Sequence, residues 1–249
     1  MLNIATRDLT PSVIVDSPPI ALGGDGSICR DNLGIGSRES ANRPFVCRVP
    51  KDVEEFRRVH ELEQSMFGDL AFPTDVADEI FAMRPEIFSA VFDQAGNVVA
   101  YTSAFFLRPE WGTALIRGDI ADLDIRPHMM YRRNDHHAGV FVYLGSVVVD
   151  PKCDPILKAM LLASLMWFRV NQMRSASVDR LSAIMTTVSK EGERLARRMG
   201  AKKLNDRTGI FGCELSPELL GGSFRAMENF PFARSIEMDL NFPSYASVN

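Results

Sequence analysis

Apolar and polar positions follow two different periods along this chain, beginning at Pro44. Short apolar runs are typical of strands, and segments with an apolar residue every three or four positions are typical of helices. The pattern predicts strands at 45–49, 87–92, 98–107, 140–149, 181–188, 202–205 and 209–215, and helices at 53–67, 74–84, 155–173 and 190–199. In the second half, strands and helices alternate with short connections, which predicts right-handed crossovers and a locally parallel sheet.

Local signals predict the ends of the first two helices. Asp52 stands where an N-cap accepts a backbone amide, and Glu55 three residues later predicts a capping box in which its side chain reaches back to the Asp52 amide. Thr74 is predicted to cap the second helix. That helix should end before Pro85, because the residue preceding a proline is disfavoured in helical geometry.

Two stretches lack a periodic apolar face. Residues 1–43 are dense in glycine, serine and proline, which is typical of a flexible leader. Residues 110–139 are polar and predict no clear element. We therefore expect one folded domain at 44–249, long enough to bury a good core.

Composition narrows the classes of function. The net charge of −4 gives no general electrostatic reason to expect a nucleic-acid partner. The four cysteines are scattered without the spacing of a zinc site or a redox pair, so we expect a reducing, cytoplasmic setting. The apolar stretch 156–168 is shorter than the roughly 20 residues that span a membrane.

The stretch FVYLGSVVVDPKCDPILKAMLL, residues 141–162, joins a strand to a largely apolar helix. Amides at a helix N-terminus and the positive end of its dipole favour an anion. Here Asp154 is a good N-cap and Pro155 suits the first helical position. The cap takes an amide and repels an anion, whereas Lys152 and Lys158 attract one.

Three stretches carry recognisable motifs. Residues 143–151 read YLGSVVVDP, residues 189–202 read SKEGERLARRMGAK, and residues 97–102 read NVVAYT. They resemble a central strand with its V-x-P turn, a helix ending in Gly-Phe, and a strand that usually reads GNVVGY in the GNAT superfamily of acyl-CoA-dependent N-acyltransferases. The resemblance covers residues 45–215 and implies an α/β fold, with a mixed, partly parallel sheet flanked by helices.

This resemblance implies a donor, an acceptor and a set of binding residues. The donor would be acetyl-CoA or another acyl-CoA, including one with a longer acyl chain, and the acceptor a small-molecule or peptide amine. In that family pantetheine pairs with the central strand where it separates from its neighbour, and the pyrophosphate lies at the N-terminus of the next helix. The corresponding residues are Val147, Val148, Val149, Lys152, Cys153, Asp154, Ile156, Leu157 and Lys158.

The family's usual acid and base groups are replaced in this chain. Ser189 and Ala196 stand where members often have an asparagine and an acid tyrosine, and Gly145 stands where a carboxylate base is usual. His137, before the central strand, is a plausible base because histidine titrates near neutral pH. We take His137, Tyr143 and Ser189 as the candidate catalytic residues. An exposed loop for His137 and core packing for Tyr143 stay open as alternatives.

Three other groups have a structural interpretation beside the functional one. The histidines within 128–137 lack metal-ligand spacing, so we expect no metal site. Cys153 should have a lowered thiol pKa at a helix N-terminus. The aspartates within 119–124 could line a pocket for a cation or simply face solvent.

The rival to an enzyme is a GNAT-like fold that binds a ligand or partner without catalysis. The missing glycines of the phosphate loop and the missing tyrosine favour that alternative.

Overall fold

The computed structural model of the protein describes residues 44–131, 139–175, 181–187, 190–198, 200–215 and 236–240. The predicted leader, residues 1–43, lies outside the described residues, as do the candidates His137 and Ser189.

Thirteen helices and strands are described, together with short 3-10 turns such as Asp122–Asp124. The strands are β1 (Phe45–Arg48), β2 (Phe88–Asp93), β3 (Val98–Leu107), β4 (Val140–Val149), β5 (Leu181–Thr186), β6 (Lys202–Asn205), β7 (Ile210–Leu215) and β8 (Ile236–Met238). The helices are α1 (Val53–Phe67), α2 (Thr74–Met83), α3 (Pro109–Arg117), α4 (Pro155–Ser175) and α5 (Lys190–Arg198).

The strands form one eight-stranded sheet in the order β6-β7-β5-β4-β3-β2-β1-β8. The β4–β5 and β1–β8 pairs are parallel, and the other neighbours are antiparallel. The parallel pair β4–β5 is joined through α4, as the alternation of strand and helix predicted. The predicted fold class, a mixed and partly parallel sheet flanked by helices, is confirmed.

Helices cover both faces of this sheet. One core contains Phe56 of α1 and Ile80 of α2 together with Tyr143 of β4. Two cores on the other face pack α4 and α5 against the sheet, with Leu165 of α4 in one and Leu144 of β4 in the other. Neighbouring β4 residues therefore enter different layers, as the two-residue period of a strand requires.

The helix ends differ from the predictions in detail. Asp52 does cap α1, accepting the Glu55 amide at 2.9 Å. The Glu55 carboxylate, however, accepts the amide of Lys51 and binds Arg48 instead of reaching back to the Asp52 amide. The N-cap of α2 is Pro73, and Thr74 is its first helical residue.

Two elements have no counterpart among the predictions. Helix α3 begins at Pro109, at the edge of the stretch in which the sequence predicted no clear element, and it ends at Gly118 in the left-handed region (φ 80°). Strand β8 adds to β1 from the far end of the chain. Among the described residues, no helix is both long and apolar enough to cross a membrane.

Candidate functional site

The two parallel strands at the centre of the sheet stop pairing before β4 ends. Their ladder runs from Val140 paired with Leu181 to Leu144 paired with Met185. Beyond that pair β4 continues from Gly145 to Val149. Within the described part of the chain, no strand pairs with this last portion of β4 on its β5 side.

The pairing ends at a β-bulge. On the β3 side the register shifts between Thr102 and Ala104, so that Gly145 and Ser146 together oppose Ser103. The Ser146 amide donates to the Ser103 hydroxyl at 2.9 Å. A Cβ atom on Gly145 would lie 2.6 Å from Ser103 Oγ and 2.9 Å from the Phe105 ring, so this position has no room for a side chain.

Backbone direction after the bulge follows from the antiparallel ladder with β3. The Asp150 amide donates to the Val99 carbonyl, so Val148 also directs its backbone groups toward β3. Val147 and Val149 therefore direct their backbone N–H and C=O groups toward the opposite edge of β4, where the ladder with β5 has ended. Val147 is only 2% exposed, and Val149 is half-buried. The Val148 side chain belongs to the core beneath α1.

The turn after β4 is closed by Asp150. Its carboxylate accepts the Lys152 amide at 2.9 Å, and its carbonyl accepts the Cys153 amide at 3.1 Å. Burial, and then the Asp150 charge, raise the pKa of the Cys153 thiol. The predicted lowering of that pKa is therefore wrong, because neighbouring carboxylates and burial outweigh the helix N-terminus.

The N-terminus of α4 is likewise occupied by its own cap. Asp154 Oδ1 accepts the amides of Ile156 and Leu157, both at 2.9 Å, and the Asp154 carbonyl accepts the Lys158 amide at 2.9 Å. Pro155 has no amide hydrogen. Four of the amides that the resemblance assigns to phosphate are thus bonded within the chain, namely those of Cys153, Ile156, Leu157 and Lys158. Ile156 is 76% exposed, so its side chain does not enter the core, while Leu157 packs beside the core under α4.

A buried polar cluster lies on the α1 side of the bulge. The Glu63 carboxylate, 3% exposed, accepts hydrogen bonds from Ser146 Oγ at 2.5 Å and from Tyr101 Oη at 3.1 Å. His60 Nδ1 lies 3.3 Å from its other oxygen. Burial first, and then the Glu63 charge, hold the Tyr101 pKa well above its usual value, so this hydroxyl remains a donor.

The candidate catalytic residue Tyr143 lies in the core. It is fully buried against Phe105, and its hydroxyl donates to Asp122 at 3.0 Å. Asp122 also accepts the amide of Leu123, and Asp124 accepts that of Ala121. These aspartates therefore take part in a structured turn, and one of them orients the Tyr143 hydroxyl.

The structure places Val147, Val149, the turn that follows β4 and the first residues of α4 at one end of β4. It adds the cluster around Glu63, which sequence reasoning missed as a site. One signal was available, since Glu63 falls on the face of α1 that the helical period assigns to the core. Among the described residues, no group of three or more histidine, cysteine or acidic side chains could hold a metal ion.

No protein-family model matches the sequence, and no curated protein matches it. Several solved structures are similar. The GNAT family N-acetyltransferase YhbS from Escherichia coli in complex with CoA is 12% identical, with a TM-score of 0.43 over 73% of this chain and 87% of that one. A GNAT family acetyltransferase from Brucella melitensis in complex with acetyl-CoA is 12% identical, with a TM-score of 0.42 over 71% and 91%.

A mosquito arylalkylamine N-acetyltransferase like 5b is 16% identical, with a TM-score of 0.44 over 69% of this chain and 99% of that one. Two of these three proteins are named as members of the family that the sequence motifs resemble.

Proposed function

We propose that this protein transfers an acetyl or other acyl group from acyl-CoA to an amine. The observation that supports this function is the end of β4, where Val147 and Val149 direct backbone groups away from β3 after the ladder with β5 has ended. A pantetheine arm contains two amides, so it can pair with these groups as an added strand does. The bound donor would supply a thioester carbonyl that a neutral amine can attack.

The phosphate end of the donor fits the chain less well. Asp150 and Asp154 engage the amides that would otherwise face an anion, and both bring a negative charge. The side chains of Lys152 and Lys158 offer compensation, as point charges. We therefore expect the pantetheine arm to supply most of the donor affinity.

The chain contributes positioning and exclusion of water. Val147 and Val148 are buried, so a thioester held beside them would react in a dry environment that strengthens polar contacts. A small-molecule or peptide amine is the proposed acceptor. A reducing, cytoplasmic setting agrees with the free thiols of the described cysteines Cys47, Cys153 and Cys213.

The second candidate function is binding without catalysis. It is favoured by the closed N-terminus of α4 and by the Tyr143 hydroxyl, which is engaged by Asp122. His137 and Ser189 remain proposed catalytic residues.

Hydrogen exchange with two donors tests the binding mode. Saturation with acetyl-CoA should slow exchange of the Val147 and Val149 amides about tenfold or more, because each gains an acceptor. The amide of Val142, already within the β4–β5 ladder, should not change. Acetyl-pantetheine, which lacks the nucleotide and the pyrophosphate, should give the same protection at a higher concentration.

Unchanged exchange at Val147 and Val149 under saturating donor would contradict the proposed binding mode. Amide formation with a panel of amines then separates the two functions. Protection without turnover would leave only the binding protein.

A further inference from the structure

Glu63 is a buried carboxylate at the bulge of β4, and an unpaired charge in such a place is costly. Its three described partners are Ser146, Tyr101 and His60. None of these is a lysine or arginine, so among the described contacts no permanent cation neutralises Glu63. Two hydroxyl donors and one imidazole nitrogen therefore surround this carboxylate.

Ser146 connects this carboxylate to the open end of β4. Its hydroxyl donates to Glu63 Oε1, while its oxygen retains lone pairs that can accept another proton. Ser146 is 7% exposed and directly precedes Val147, the first residue of the proposed pantetheine edge. Glu63 itself comes from α1, 83 positions away along the chain.

The carboxylate compensates for what β4 lacks. The resemblance places a carboxylate base at Gly145, but Ser103 and Phe105 leave no space for a side chain there. Glu63 reaches the neighbouring residue from the helix layer. The carboxylate at the bulge thus belongs to a helix packed against the sheet and not to the strand itself.

His60 completes the far side of the cluster. Its Nδ1 faces Glu63, and its Nε2 is buried with no hydrogen-bond partner in the described structure. With Nδ1 donating to Glu63, a neutral imidazole leaves Nε2 as an acceptor. His60 does not contact Ser146 Oγ in the described contacts, so the order Ser146–Glu63–His60 differs from a serine hydrolase triad, in which histidine contacts the serine.

We propose that Ser146 and Glu63 form a proton relay that deprotonates the ammonium form of the acceptor. This inference rests on the proposed acyl-transfer function. One N–H bond of the ammonium breaks as its proton moves to Ser146 Oγ, and Ser146 passes its own proton to Glu63 Oε1. The neutral amine then forms the C–N bond. As the C–S bond breaks, a second amine proton leaves with the sulfur, and Glu63 afterwards loses its proton to water.

Two matched acceptors separate this role from a structural one. Ethylamine and methoxyamine are similar in size, but at neutral pH ethylamine is an ammonium ion and methoxyamine is already neutral. Only ethylamine needs the relay. The Glu63→Gln and Ser146→Ala variants should lose about 100-fold in kcat/KM with ethylamine, the lower range of general-base effects. With methoxyamine, corrected for its uncatalysed reaction, they should lose less than about threefold.

Ser89→Ala is the matched control. Ser89 is a fully buried serine on β2 whose hydroxyl has no described partner, so its loss should leave both rates unchanged. Thermal unfolding of each variant verifies folding. If Glu63→Gln does not fold, Ser146→Ala decides the matter, because it cuts the relay while leaving the carboxylate in place.

The outcomes distinguish the relay from the function on which it rests. Equal losses with both amines, or no loss with ethylamine, overturn the relay while wild-type turnover upholds acyl transfer. A wild-type protein that binds acetyl-CoA and acylates no member of the amine panel overturns both.

Discussion

Two single residues decide what the end of β4 can do. Gly145 leaves no room for a carboxylate on the strand, because Ser103 and Phe105 fill the space beside it. Asp154 then occupies two amides at the start of α4 and adds a negative charge. The resemblance therefore applies to the strand edge better than to the phosphate position.

The Asp154→Gly variant should bind acetyl-CoA about three- to tenfold more tightly than the wild type. The substitution frees the amides of Ile156 and Leu157. It also removes a negative charge from the helix N-terminus, where one charge changes the binding free energy of an anion by about 1 kcal/mol. Glycine is a tolerable cap, so the free energy of unfolding should fall by only a few tenths of a kcal/mol. Calorimetric titration measures both affinities.

Asp154→Asn is the control for charge, because asparagine keeps a capping oxygen. Its affinity for acetyl-CoA should lie between those of the wild type and of Asp154→Gly. Equal or weaker binding by both variants would contradict a phosphate position at α4.

At the scale of elements, β1 and α1 are joined by one ion pair. Arg48 donates to both oxygens of Glu55, at 2.5 and 2.9 Å, and its guanidinium lies 4.1 Å from the centre of the Phe92 ring. The same carboxylate accepts the Lys51 amide at 2.8 Å. Both side chains are largely shielded, so this contact sets how the chain turns from strand to helix.

Glu55→Gln should lower the free energy of unfolding by about 1–2 kcal/mol at neutral pH, because a hydrogen-bonded charge pair is lost. The bond from Arg48 holds the pKa of Glu55 below its usual 4.5. The contribution is thus fully present above about pH 4.5 and is lost as the pH falls through the lowered value. Urea unfolding of both proteins over a pH series measures this difference.

Glu54→Gln removes a charge from the same helical turn at an exposed position, and it should cost less than about 0.5 kcal/mol. A Glu55→Gln effect that stays constant down to the lowest pH would rule out the ion pair as its source.

At the scale of the whole molecule, distant parts of the chain meet at one edge of the sheet. Strand β8 pairs in parallel with β1, and the Asp239 amide extends the ladder to the Cys47 carbonyl. Ile236 is buried in the core under α4 with Leu161 and Phe168. The edge strand therefore contributes to the same core as the first strand.

Ile236→Ala should reduce the free energy of unfolding by about 2–4 kcal/mol, the range for a truncated core isoleucine. Leu240→Ala, at a position 37% exposed, is the matched control and should cost less than about 0.5 kcal/mol. Denaturant unfolding gives both values. Equal effects of the two substitutions would show that β8 adds little to the core.

Local periodicity in the sequence predicted most elements and a locally parallel sheet, whereas the mixed sheet was implied by the family resemblance. The strands from Val98 to Leu107 and from Val140 to Val149 have their predicted bounds, and α1 runs from Val53 to Phe67 as expected. These elements have strong apolar patterns that local residues determine. Helix α3 was missed because its start lies in a polar stretch without a clear period, and β8 because three residues carry too weak a pattern.

The candidate site depended both on local sequence and on tertiary structure. The sequence by itself determined the strand, the turn and the cap at Asp154, because each is a matter of neighbouring residues. Only the tertiary structure decided that β4 leaves β5 after Leu144 and that Glu63 reaches Ser146. Those contacts join residues far apart in the chain, and their geometry follows from how the sheet and helix layers pack, which no local pattern specifies.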